Sequence, residues 1–141
     1  MKKNIILGVT GSIAAYKACD IISALKEKGF SVEVILTKEA KEFVTKLTFE
    51  TLSARKVYDD MFQSPEEWDV EHVSLAKRSS LVIIAPATAN VISKIACGIC
   101  DDLLTTVVCA TKSPILIAPA MNENMYNNKV IQENISKLRK L

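Results

Sequence analysis

One amide held between two methionines is the group in this sequence best suited to gripping a small molecule. Asn122 lies in Ala118-Pro119-Ala120-Met121-Asn122-Glu123-Asn124-Met125-Tyr126, directly behind the apolar run Ile115-Leu116-Ile117. The pattern predicts a buried strand stopped by a proline and followed by a short polar-and-methionine loop. In a parallel sheet, the loops at the carboxyl ends of the strands are where ligands bind. An amide flanked by the flexible apolar side chains of Met121 and Met125 suits a ligand with both a polar group and a flat apolar face.

Other segments offer groups to the same rim. Gly8-Val9-Thr10-Gly11-Ser12-Ile13-Ala14 joins a first apolar run to a helical segment. Glycine lets the backbone come close to a ligand, a helix amino terminus offers free N–H groups to a phosphate, and Thr10 and Ser12 add hydroxyls. The spacing is not the three-glycine dinucleotide fingerprint, so the loop reads as a mononucleotide site or as a plain small-residue turn. Thr37 ends a second apolar run, and Pro86-Ala87-Thr88-Ala89-Asn90 follows a third. Thr88 is also a good helix cap. Capping and turn chemistry explain each residue alone. A shared ligand site explains better why four successive rim loops are small, uncharged and hydrogen-bonding.

His72 is the only histidine, in Trp68-Asp69-Val70-Glu71-His72-Val73. A crossover helix runs antiparallel to the strands, so a histidine at its start reaches the rim of its own chain or of a neighbour. It is either a proton carrier suited to neutral pH or a surface group capping a helix. Asp101 and Asp102 precede Leu103 and read as helix-capping acids rather than an acid–base pair. Cys97 and Cys100 have the spacing of a redox or metal pair, but no second pair accompanies them. With Cys19 and Cys109 they read as buried small apolar residues.

The elements that must position these groups alternate. Strands are predicted at residues 3–9, 31–36, 81–85 and 115–118. Helices are predicted at 14–28, 38–44, 73–78, 90–97, 102–110 and 129–141. The first helix should bury Ala18, Ile21, Ile22 and Leu25, with Gly29 just past its end. The last should bury Val130, Ile131, Ile135 and Leu138. Residues 45–69 are the least regular and suggest a short helix, an edge segment and an exposed loop. Continuous apolar strands separated by helices imply an α/β fold, a doubly wound parallel sheet of Rossmann-like or flavodoxin-like three-layer type. The chain has 141 residues, 49% of them hydrophobic, and reads as a single domain over 1–141. Eighteen basic and sixteen acidic side chains leave a formal charge of +2. With no basic stripe there is no sign of a nucleic-acid partner. The apolar segment after Met1-Lys2-Lys3-Asn4 is too short for a signal peptide or membrane span, so a cytoplasmic location is expected.

Several of these segments together resemble the flavin-containing cysteine decarboxylases, most of all the branch acting on phosphopantothenoylcysteine in coenzyme A biosynthesis. They are Thr10-Gly11-Ser12-Ile13-Ala14, Glu71-His72-Val73-Ser74-Leu75, Ala85-Pro86-Ala87-Thr88-Ala89-Asn90, Gly98-Ile99-Cys100-Asp101-Asp102-Leu103-Leu104 and Pro119-Ala120-Met121-Asn122-Glu123-Asn124-Met125-Tyr126. The resemblance implies FMN bound through Gly11, Ser12 and Ile13 at its phosphate, with contacts from Thr37, Thr88, Ala89, Asn90 and Val91, and Ala120 beside the flavin. It implies that Asn122 and Met125 contact substrate, that Asn122 takes its carboxylate, and that His72 is the catalytic proton carrier. It also implies a homo-oligomer, a trimer or a dodecamer built from trimers, with FMN at the trimer interface and no metal. The implied chemistry is decarboxylation of phosphopantothenoylcysteine to phosphopantetheine. Oxidation of the thiol carbon by the flavin gives a thioaldehyde, an electron sink for loss of carbon dioxide, and the reduced cofactor then returns the hydride.

The family also carries a mobile clamp beyond the asparagine motif, with a cysteine that protonates the ene-thiol. The sequence reaches Leu141 without a matching segment, and none of Cys19, Cys97, Cys100 or Cys109 corresponds. Either the sequence is a fragment of a longer protein, or the final reduction is lost or supplied otherwise. The competing readings are a flavin prenyltransferase, a partner-binding protein resembling the yeast phosphatase inhibitor, and a flavodoxin-like electron carrier. The first does not usually carry the asparagine motif, the second commonly has charged extensions, and the third an acidic surface.

Overall fold

A computed structural model describes residues 2–59 and 68–141, with the backbone alone over 68–71. The strands are β1 (Asn4–Val9), β2 (Ser31–Leu36), β3 (Leu81–Ala87) and β4 (Ile115–Pro119), and they form one sheet in the order β2-β1-β3-β4. All three pairings are parallel, with Leu7 opposite Val34 on one side and opposite Ile83 on the other. The helices are α1 (Ala18–Glu27), α2 (Lys46–Ser53), α3 (Trp68–Arg78), α4 (Ala89–Cys97), α5 (Leu103–Ala110), α6 (Glu123–Tyr126) and α7 (Lys129–Lys140).

Strand side chains alternate between two cores. Ile5, Leu7, Val9, Val32 and Val34 pack with α1 and α2 through Ala18, Ile22 and Phe49. Ile6, Ile35, Val82 and Ile84 pack on the other face with Leu75, Ile92, Leu104 and Ile135 from α3, α4, α5 and α7. A strand buried on both faces must be apolar at every position, which is why these segments read as continuous runs. Gly8 is required for this packing, because a Cβ there would come within 2.5 Å of the Leu104 side chain.

Glu33 is the exception on β2. It is 1% exposed, yet charged, and Arg55 reaches it at 2.8 Å while Arg78 from α3 grips it with Nε at 3.0 Å and a terminal nitrogen at 2.8 Å. The Glu33 carboxylate in turn raises the Arg78 pKa above its ordinary value. The bidentate clamp ties the end of α3 to the sheet.

Four expectations are corrected. The helix expected at 38–44 is only a 3₁₀ turn, Ala40–Glu42. Thr45 interrupts it by turning extended and accepting the Thr48 amide at 3.4 Å, which starts α2 instead. β4 is an edge strand, not a buried one, with Ile115 39% and Leu116 51% exposed. On α7 the buried stripe runs through Ile131, Ile135 and Leu138, spaced for one helical face; Val130 lies a third of a turn away and is 60% exposed. The cysteines are not buried: Cys97, Cys100 and Cys109 are exposed and Cys19 is intermediate. The edge segment expected within 45–69 is present where Tyr58 bridges Ile35, whereas the exposed loop lies outside the described residues.

Candidate functional site

The strand order reverses direction between β1 and β3, since β1 connects to β2 on one side and β3 lies on the other. In doubly wound sheets the crevice at such a switch point, outside the carboxyl ends of the strands, is the ligand site. Gly11, Ser12, Ile13, Thr37, Thr88 and Ala120 all sit on that rim, each within a few residues of a strand's carboxyl end.

The rim loops are bonded to one another. Thr10 is 0% exposed; its hydroxyl donates to the Pro86 carbonyl at 2.6 Å and accepts the Thr88 amide at 3.0 Å. The Thr37 amide donates to the Val9 carbonyl at 3.1 Å, and the Ala120 amide to the Ala87 carbonyl at 2.9 Å. Thr10 is therefore a clamp between β1 and β3 and not the free hydroxyl its sequence position suggests. Gly11 closes against the loop after β2, where a Cβ would come within 2.4 Å of the Glu39 Cβ.

Two helix amino termini face this rim. Ser12 accepts the Ala14 amide at 3.1 Å and opens the 3₁₀ turn Ile13–Lys17, which runs straight into α1. Thr88 caps α4 by accepting the Val91 amide at 3.2 Å. The Ala89 and Asn90 amides precede the first intrahelical bond, Ile92 to the Thr88 carbonyl at 3.0 Å, and so have no intrahelical partner. Both helix ends favour an anion. Val91 buries its side chain in the core, and Thr37 is buried with its hydroxyl accepting the Ala40 amide at 3.2 Å. Asn90 and Ile13 are exposed.

Behind β4 the expected loop is partly helical. Asn122 caps the four-residue α6, its Oδ1 accepting the Met125 amide at 2.9 Å. The cap fixes the amide by its oxygen and leaves the Nδ2 hydrogens as the group it can donate. Asn122 and Met125 are both exposed. His72 is half-buried and lies inside α3, which begins at Trp68 rather than at Val73 as the periodicity predicted. Asp102 closes a reciprocal capping box with Thr105, accepting its amide at 2.8 Å, as expected of a helix-start acid.

A cavity of about 430 Å³ opens beside the β2 end of the rim. Thr37 lines it with Lys38, Lys41, Asp59, Lys94 and Asp102. Apart from Asp102, read only as a helix cap, these charged residues were not singled out from the sequence, because they are scattered along it and only the fold collects them. Lys94 pairs with Asp101 at 2.9 Å, which raises the lysine's pKa. Among the described residues, no cluster of three His, Cys, Asp or Glu could hold a metal, and no helix is long and apolar enough to cross a membrane.

Parallel sheet, switch point and paired helix ends define a nucleotide-binding α/β flavoprotein scaffold. The chain belongs to the Flavoprotein family, whose profile matches residues 1–141. It is 48% identical over 136 residues to the coenzyme A biosynthesis bifunctional protein CoaBC of Vibrio vulnificus, covering 96% of this chain and 34% of the relative. It is 41% identical over 142 residues to a probable phosphopantothenoylcysteine decarboxylase of Streptococcus mutans, covering 99% of this chain and 79% of the relative. The solved structure of the FMN-dependent cysteine decarboxylase SpaF superposes with a TM-score of 0.91 at 28% identity, covering 98% of this chain and 79% of that one. The chain thus spans about a third of the length of the bifunctional relatives it matches.

Proposed function

We propose that this chain is an FMN-dependent decarboxylase unit acting on phosphopantothenoylcysteine in coenzyme A biosynthesis. The observation that carries the reading is the pairing of two anion-favouring helix ends at the switch point with an amide donor, Asn122, on the adjoining β4 rim. The names of the Vibrio and Streptococcus relatives support the substrate, and the FMN-dependent SpaF supports the cofactor.

The residues present fit FMN. Its phosphate would sit at the amino end formed by Gly11, Ser12 and Ile13, and Thr37, Thr88, Ala89, Asn90 and Val91 would border the rest, with Ala120 beside the ring. The close approach of Gly11 to Glu39 leaves no room for a side chain and keeps that backbone tight. When bound, FMN would supply the two-electron oxidation of the thiol carbon and return the electron pair later. The chain's own groups do the rest. Asn122 Nδ2 donates to the substrate carboxylate and sets its orientation, Met125 covers an apolar face, and His72 moves a proton at the substrate sulfur. Assembly into homo-oligomers, trimeric in the first instance, is part of the same proposal. It is supported by the exposed apolar Ile13, Tyr16, Phe43 and Leu47 on the α1 and α2 side of the molecule.

The test is the visible spectrum of the purified protein, followed by anaerobic addition of phosphopantothenoylcysteine with carbon dioxide measured. A flavin spectrum and carbon dioxide release are expected, and His72→Asn should keep the flavin while losing at least a hundredfold in rate. A protein that takes up no FMN overturns the cofactor. Unchanged turnover in His72→Asn removes the histidine from the mechanism.

A further inference from the structure

Both helix ends at the rim are held by one buried residue. Thr10 follows β1 and is 0% exposed. Its carbonyl accepts the Ser12 amide at 2.9 Å, and its hydroxyl accepts the Thr88 amide at 3.0 Å. Ser12 and Thr88 are the caps of the two ends that favour an anion. Thr10 is itself anchored to β3, where the Pro86 carbonyl takes its hydroxyl at 2.6 Å and its amide at 3.3 Å. The neighbouring residues extend the tie outwards. The Val9 carbonyl accepts the Thr37 amide at 3.1 Å, and the Ala87 carbonyl accepts the Ala120 amide at 2.9 Å.

The same bonds decide which amides are left for a ligand. Thr88 spends its amide on Thr10, and Val91 spends its own on the Thr88 hydroxyl. Ser12 and Ala14 spend theirs on Thr10 and on the Ser12 hydroxyl. The amides of Gly11, Ile13, Ala89 and Asn90 have no hydrogen-bond partner among the described residues. They belong to the two segments that Thr10 joins.

We propose that Thr10 is a positioning residue for the cofactor: its buried hydroxyl fixes the loop Gly11 to Ile13 against the amino end of α4, so that both can hold one FMN. The inference rests on the flavin reading. Being fully buried, Thr10 acts through Ser12 and Thr88 and does not touch FMN itself. Its branched side chain has few rotamers, and its hydroxyl donates and accepts at once, so the bonds define one arrangement. Without the hydroxyl the Thr88 amide loses its acceptor, and the end of α4 is free to shift from the loop. Only molecules with both ends in place then bind FMN, and the apparent affinity falls by that fraction.

The test is titration with FMN, read by quenching of flavin fluorescence at a temperature where circular dichroism shows each variant folded. Thr10→Val should weaken FMN by at least about tenfold. Thr10→Ser keeps the hydroxyl and should bind nearly as tightly as wild type. Glu33→Gln also removes buried polar contacts, but Glu33 pairs with Ile6, well back from the strand ends, so it should leave FMN affinity unchanged. Equal affinity in Thr10→Val and wild type overturns the proposal. An equal loss in Glu33→Gln does so too, because affinity would then follow stability alone. A wild type that takes up no FMN overturns the flavin reading and this one with it. Hydrogen exchange without flavin is the second measurement. The Thr88 amide should be protected in wild type and Thr10→Ser, and should exchange faster in Thr10→Val. An unprotected Thr88 amide in wild type overturns the proposal whether or not the valine variant folds.

Discussion

Replacing Thr10 by valine tests whether the rim is held by hydrogen bonds or by packing. The two side chains have nearly the same shape, so Thr10→Val preserves the fill of a fully buried position and removes its polar atom. Two bonds go with it: the donation to the Pro86 carbonyl at 2.6 Å and the acceptance of the Thr88 amide at 3.0 Å. The Pro86 carbonyl keeps the Thr10 backbone amide at 3.3 Å, so only the first bond's net worth is lost there, about 1 kcal/mol. The Thr88 amide is left with no acceptor, a penalty of about 1–3 kcal/mol, reduced because Thr88 is only half-buried and water can enter. The expected loss is about 2 kcal/mol, equivalent to a fall in Tm of roughly 6 °C for a domain of this size. Urea unfolding of the protein without FMN should show a lower midpoint at unchanged slope. Thr10→Ser retains the hydroxyl and should lose about 1 kcal/mol for the missing methyl. If the valine variant is as stable as wild type and the serine variant is the weaker, the clamp is packing alone and the argument is refuted.

Asn122→Asp keeps an oxygen to cap the Met125 amide but replaces the donor with a charge. It should raise KM for the substrate at least tenfold while FMN loading and Tm hold, whereas Asn122→Ala should also lose about 1 kcal/mol of cap stability in thermal melts. Glu33→Gln leaves two guanidiniums without their counter-charge. Both arginines keep partial contact with water, so urea unfolding should show a loss of about 2 kcal/mol, short of the roughly 3–5 kcal/mol of a fully buried pair. Burial pushes the Asp59 carboxyl up, but Lys41 at 3.0 Å and Lys46 at 3.4 Å outweigh it and hold its pKa below the ordinary 3.8. A carboxyl depressed in the folded state contributes stability above its unfolded pKa and loses it as pH falls through the folded value. Asp59→Asn should therefore narrow the gap to wild type as melts are taken below about pH 4.

The parallel sheet was legible because its strands are buried on both faces, and an uninterrupted apolar run such as Ile5 to Val9 has few other uses. The caps at Thr88 and Asp102 were legible because capping is local chemistry, read within four residues. Long-range contacts were not. Nothing near Thr10 in sequence announces that its hydroxyl bonds to Pro86, seventy-six residues away. The same limit hid the Glu33 clamp, whose arginines lie on other elements, and the exposure of β4, which depends on its place at the sheet edge. The cysteines misled for a related reason. Apolar neighbours in sequence say only that a helix has an apolar face, and Cys97 and Cys109 lie on the other face of theirs.

The chemistry expected of Asn122 gains support from a detail that sequence alone could not supply. An asparagine free to rotate presents oxygen and nitrogen to a ligand equally, and a carboxylate would have to pay for fixing it. Here Oδ1 is already held by the Met125 amide at 2.9 Å, so the side chain is fixed with its two N–H donors directed away from the cap. Preorganisation of this kind lowers the entropic cost of binding and selects an acceptor ligand over a donor. A carboxylate is an acceptor at both oxygens, whereas an ammonium group, a donor only, would meet the wrong polarity. On the proposed reading of Asn122, the four-residue α6 has a use that its length alone does not explain: it would be the support that turns a flexible amide into a fixed donor at the β4 end of the rim.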